Sequence, residues 1–133
     1  MKDPLLTSRR ILVVDDERPI LFALRDYFSL KGLIVDCAEE MEEAQALLAN
    51  VSYSLVIVDM RLTGFGGVEG LEVVGFVKDR CPQTRVIVWT ASESSAVKRE
   101  VHRRGVDRYI QKPAPLADVA RAAFELLGAP AYA

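Results

Sequence analysis

The sequence predicts one α/β domain, a parallel five-stranded sheet doubly wound with helices on both faces. Three observations carry this. Four short apolar runs rich in β-branched residues recur along the chain, with a weaker fifth near its end. Amphipathic helical patterns fill the intervals between them. The length, 133 residues, suits one packed core.

The first run is Ile11-Leu12-Val13-Val14. Apolar on consecutive positions, it suits a strand buried on both faces, as in a parallel sheet covered by helices. Residues 18–31 then place Ile20, Leu24, Tyr27 and Phe28 on one stripe, with Pro19 in the first turn and Gly32 just past the end. Ile34-Val35 is the second strand, and residues 39–49 form a helix on Met41, Ala44, Leu47 and Leu48. Leu55-Val56-Ile57-Val58 is the third strand. Residues 70–80 follow as a helix on Leu71, Val74 and Val77, stopped by Cys81-Pro82. Val86-Ile87-Val88-Trp89 is the fourth strand, and a more polar helix over 93–104 stops at Gly105. Arg108-Tyr109-Ile110 is the weaker fifth. The last helix carries Leu116, Val119, Ala120, Ala123, Phe124 and Leu127 at the i, i+3, i+4, i+7 spacing.

Parallel strands joined by right-handed helical crossovers give an open sheet. With five strands the expected order is 2-1-3-4-5, the flavodoxin-like arrangement. The domain is expected over 10–128, between short tails at 1–9 and 129–133.

Composition excludes several classes. The formal charge of −2 gives no sign of direct nucleic-acid binding. The apolar runs fall far short of the roughly 20 residues that cross a membrane, and the start has no signal-peptide pattern. Cys37 and Cys81 lack metal or redox spacing, which fits a reduced, cytoplasmic setting. His102, the one histidine, lies in a charged run that reads as a solvated helix face.

In such a sheet ligands bind beyond the carboxyl ends of the strands, where strand order reverses. The residues there are Asp15, Asp16 and Glu17 after the first strand, Asp59 after the third, Thr90 after the fourth and Lys112 after the fifth. Carboxylates a few ångströms apart repel by roughly 4 kcal/mol per pair at an effective dielectric of about 20. A divalent cation relieves this, and an all-oxygen set without Cys or His suits Mg²⁺ rather than zinc or copper. A carboxylate beside such a metal can act as nucleophile and form an acyl phosphate. Lys112 and Thr90 suit the transferred group, one as a point charge and the other as a short donor. Each feature alone has a plainer reading: an Asp pair complementing a helix dipole, an Asp in a turn, a Thr at a helix start, a solvated Lys. Their coincidence on one edge of one sheet favours the site.

The motifs Ile11-Leu12-Val13-Val14-Asp15-Asp16-Glu17, Leu55-Val56-Ile57-Val58-Asp59-Met60, Trp89-Thr90-Ala91 and Tyr109-Ile110-Gln111-Lys112-Pro113, in this order and spacing, resemble the receiver domain of bacterial response regulators. The likeness spans Arg10 to Leu127. It implies that Asp59 is the phospho-acceptor. Asp16 is implied as a direct Mg²⁺ ligand, with Asp15 acting through water and the backbone carbonyl of Arg61 completing the set with Asp59. It implies that Lys112 binds the phosphate, that the Lys112–Pro113 bond is cis, that Thr90 moves toward the phosphoryl group, and that Tyr109 turns inward behind it. Arg61 and Ser92 resemble positions that tune the lifetime of the phosphorylated state.

The implied function is a two-component switch rather than an enzyme. A sensor histidine kinase or phosphotransfer protein supplies the phosphoryl group, and the surface of the fourth helix, fifth strand and fifth helix reads out to a downstream protein or output domain. A phosphorylation-dependent homodimer is expected through Ala117, Ala122 and Leu126, off the core stripe of the last helix.

The sequence departs from the family pattern at two places. The loop 63–70 is long and glycine-rich, with Thr63 where a proline is usual and Phe65 at its tip, suggesting a partner contact or a cover for the site. Trp89 stands where an aliphatic residue is usual, so its fluorescence is expected to report on the site. The alternative reading is a receiver-like interaction module acting without phosphorylation. A phosphatase would need an acid at Arg61, and a flavin phosphate would be repelled by Asp15-Asp16-Glu17.

Overall fold

A computed structural model of the chain describes residues 9–60 and 68–128. The strands are β1 (Arg10–Val14), β2 (Ile34–Ala38), β3 (Leu55–Val58), β4 (Arg85–Thr90) and β5 (Arg108–Gln111). They alternate with helices α1 (Arg18–Leu30), α2 (Met41–Asn50), α3 (Val68–Arg80), α4 (Ser95–Arg103) and α5 (Leu116–Leu127). All strand pairs are parallel, in the order β2-β1-β3-β4-β5.

The pleat divides the apolar runs between two core layers. Ile11, Val13, Leu55, Ile57, Ile87 and Trp89 face α1 and α5, where Leu24, Phe28, Ala123 and Phe124 meet them. Leu12, Val14, Val56, Val58, Val86 and Val88 face the other way, toward Ala44, Val74, Val77 and Val101. This explains runs without polar alternation, since both faces of the three central strands are buried. Phe28 and Phe124, both nearly inaccessible, meet edge to face with centroids 5.8 Å apart.

The structure refines the expected elements. β2 runs on past the expected Ile34-Val35 to Ala38, and Arg10 and Tyr53 both bond to the Asp36 carboxylate it carries. On α1 the fully buried positions are Leu21, Leu24 and Phe28, while Ile20 and Tyr27 flank the core. α3 begins at Val68, so Gly70 belongs to the helix and not to the preceding loop. Ser94 caps α4, accepting from the Val97 amide. On α5, Ala122 is buried and Leu126 packs against the core. The face expected to form a dimer is thereby corrected: of its three residues only Ala117 is exposed, because the apolar arc of α5 is wider than its strict stripe.

β1 and β3 are central and adjacent, and their carboxyl ends lie side by side. The Asp15 amide donates to the Ala38 carbonyl and the Asp59 amide to the Val14 carbonyl, so both acids are pinned to the same edge by sheet-like bonds.

Candidate phosphoryl-transfer site

Asp15 and Asp59 leave the sheet immediately after buried strands and are themselves 3% and 6% exposed. Asp15 adopts the turn its residue type favours, its Oδ1 accepting the Glu17 amide at 2.9 Å. Burial nonetheless dominates and pushes the Asp15 carboxyl up to about 6. The Glu17 amide and the Lys112 ammonium act against that rise without cancelling it.

Lys112 enters from the end of β5 after a main-chain bond from its amide to the Thr90 carbonyl. Its Nζ donates to Asp15 Oδ2 at 2.9 Å, Glu17 Oε2 at 2.9 Å and Asp59 Oδ2 at 3.2 Å. Those bonds use all three ammonium protons. Burial would pull the Lys112 ammonium toward its neutral form, but the hydrogen bonds to Glu17 and Asp15 and the nearby charges outweigh it and hold the pKa above that of an ordinary lysine. The bond to Pro113 is cis, as the resemblance implied.

Asp15, Glu17 and Asp59 each offer a carboxylate oxygen, all within 4.8 Å of one another. Hard oxygen donors at this spacing fit Mg²⁺ or Ca²⁺, with positions left for water and phosphate oxygens. Glu17 is the member that sequence reasoning placed at the strand end without a role. In sequence it looks like any acid at the start of a helix; only the approach of Lys112 distinguishes it. Asp16 lies outside this cluster. It is exposed and lines a shallow acidic concavity with Glu39, Glu40, Glu42 and Glu43, next to the cluster along the chain. Arg61, and with it Thr63 and Phe65 of the long loop, lie outside the described residues.

Thr90 is wholly buried, its Oγ1 accepting from the Ser92 amide at 3.2 Å. Tyr109 is partly buried, which pushes its phenol pKa up, and its hydroxyl donates to the Ser92 carbonyl at 3.2 Å. Lys98 Nζ stands 5.4 Å from the centre of the Tyr109 ring, with the His102 ring 6.0 Å away. Ser92 therefore joins Thr90 to Tyr109, a link between the acidic site and the α4–β5 surface.

The family pattern of the response regulator receiver domain matches residues 11–124. The photosynthetic apparatus regulatory protein RegA of Rhodobacter capsulatus is 28% identical over 116 residues, covering 87% of this chain and 61% of that protein. The chain thus spans about three fifths of that relative's length. Among solved structures, a CheY-like receiver domain protein from Methanospirillum hungatei superposes with a TM-score of 0.83 at 27% identity, covering 90% of this chain and 94% of the other. TrrA of Thermotoga maritima, solved in complex with Mg(2+)-BeF, gives 0.73 at 30% identity over 89% of this chain and 98% of that one. Receiver domains are signalling modules that bind Mg²⁺ at an acidic pocket, and here the acids converge at the switch point of the same sheet. By its matched length, its sheet order and its acidic edge, this chain belongs to the receiver domain family of two-component response regulators.

Proposed function

We propose that this domain, over residues 10–128, receives a phosphoryl group on Asp59 and passes the change to its α4–β5–α5 surface. The donor is a phosphohistidine of a sensor kinase or phosphotransfer protein. An Asp59 oxygen attacks phosphorus, the P–N bond breaks as the P–O bond forms, and the imidazole leaves. The observation that carries this reading is Lys112 bonded at once to Asp15, Glu17 and Asp59, an anion-receiving cation poised over a carboxylate nucleophile.

A Mg²⁺ held by Asp15, Asp16, Asp59 and the Arg61 carbonyl, with Glu17 at hand, would offset the repulsion between Asp59 and an incoming phosphate. Asp59 supplies the nucleophile. Lys112 exchanges part of its carboxylate contacts for a phosphoryl oxygen. Thr90 donates its hydroxyl to the same group, and the Ser92 link carries the shift to Tyr109. The partners are then the phosphodonor protein and a downstream protein or output domain, in the cytoplasm; no turnover of a diffusible substrate is required. Among the described residues no helix is long and apolar enough to cross a membrane.

Labelling by acetyl phosphate with Mg²⁺, compared between wild type and Asp59→Asn, tests this reading. Modification of the wild type alone is expected. Labelling that persists in Asp59→Asn, or none in either protein, would overturn it.

A further inference from the structure

Lys112 has a fourth neighbour that is not a carboxylate. Its Nζ lies 5.3 Å from the centre of the Trp89 ring. Trp89 is the penultimate residue of β4, paired in register with Ile110, and its side chain is 7% exposed in the layer that faces α1 and α5. A cation within about 6 Å of an indole face is attracted by the ring quadrupole, more strongly when both groups are shielded from water. Trp89 Nε1 has no hydrogen-bond partner among the described residues. Among the described residues the indole is held by packing, and the polar atom that usually justifies a buried tryptophan bonds to none of them. What the ring offers the site is its face.

The ammonium is thus bounded on two sides, by three carboxylates and by an aromatic wall. A lysine has four rotatable side-chain bonds and gives a point charge without directional preference of its own. The wall narrows the positions its ammonium can occupy and leaves it directed at the Asp59 oxygen. We propose that Trp89 is a positioning residue for phosphoryl transfer, holding Lys112 at Asp59 through a cation–π contact. This rests on the phosphoryl-transfer reading for its kinetic consequence, though the contact itself does not.

Two measurements test it. The first needs no phosphodonor: NMR of the full chain should find the Lys112 ε-methylene protons shifted upfield from those of exposed lysines, and Trp89→Met should remove the shift. The second is the rate of Asp59 modification by acetyl phosphate at saturating Mg²⁺. Trp89→Phe, which keeps an aromatic face, should stay within about twofold of wild type, and Trp89→Met should slow by about fivefold. Mg²⁺ affinity by calorimetry should be unchanged in both, since Trp89 offers no ligand.

An unshifted Lys112 resonance in the wild type would overturn the proposal. So would equal rates in the Phe and Met variants, or a parallel loss of Mg²⁺ binding, which would mean a collapsed site. If Trp89→Met does not fold, the wild-type resonance and the Phe variant still decide. A shifted Lys112 in a wild type that acetyl phosphate never labels would retain the contact and reject the function.

Discussion

Gly70 is where the helix after Asp59 comes closest to the backbone that carries it. A Cβ there would stand 2.3 Å from Met60 Cα and 2.5 Å from the Asp59 carbonyl oxygen. Both are main-chain atoms beside a packed strand, so neither can move aside cheaply. Gly70→Ala is expected to cost about 1–3 kcal/mol in urea unfolding, the usual range for overpacking, and to slow Asp59 labelling as well. Labelling that stays at the wild-type rate in a destabilised variant would separate Gly70 from the site. At this scale the sequence was informative where chemistry sits at a strand end: Asp15, Asp59, Thr90 and Lys112 are all found there. It was uninformative where a role depends on which way a side chain turns. Glu17 and Asp16 are adjacent acids, yet only Glu17 joins the cluster around Lys112. Asp36 lies within β2, just past the apolar pair Ile34-Val35. Its carboxylate receives the Tyr53 hydroxyl at 2.6 Å, and Tyr53→Phe should cost about 1 kcal/mol.

α4 is the helix most loosely tied to the sheet, with Val101 as its one fully buried residue. An element with so few apolar anchors opens at low free energy, which suits the shift proposed for this surface. Its ends matter correspondingly more. Removing the cap with Ser94→Ala should cost about 1 kcal/mol, read as faster amide exchange through α4 while the sheet stays protected. Its last turn is tied by Glu100, which binds Arg103 and Arg104; those bonds hold its carboxyl down at about 2. Because the folded pKa lies below the ordinary carboxylate value, the contribution is full at neutral pH and is lost as pH falls toward 2. An NMR titration should place the Glu100 midpoint there, and Arg103→Ala should raise it toward the usual range. The period and the stop at Gly105 made α4 legible as a helix, but its start was not, because Glu93 and Ser94 scan equally well as helix or cap. α5 erred the other way: a stripe drawn at i, i+3, i+4 leaves Ala122 outside, whereas a small residue at the stripe's margin is buried at little cost.

Across the molecule, direct pairing of β1 with β3 sets the spacing of their acids, and the two core layers hold that sheet in place. Phe124, buried where α5 meets α1, should cost about 3–5 kcal/mol on truncation to alanine, although it lies in the layer and not at the acids. Sheet order was readable because five apolar runs alternating with helices, three of them buried on both faces, leave few chain paths. The long loop was readable only as an anomaly of spacing and glycine content, since neither feature specifies a conformation. If Mg²⁺ binds the folded acids and not the unfolded chain, saturation at a hundred times its dissociation constant should add about 2.7 kcal/mol of stability. Asp59→Asn should lose most of that gain in a thermal melt.

The central claim is that Asp15, Asp59 and Lys112 form one receiving site. A crystal structure grown with Mg²⁺ and beryllofluoride tests it most directly. The expected result is beryllofluoride on an Asp59 carboxylate oxygen, a metal bridging it to Asp15 or Asp16, and the Lys112 ammonium moved from Glu17 onto a fluoride. An unmodified Asp59 at saturating reagent, or a metal bound away from both Asp15 and Asp59, would contradict it.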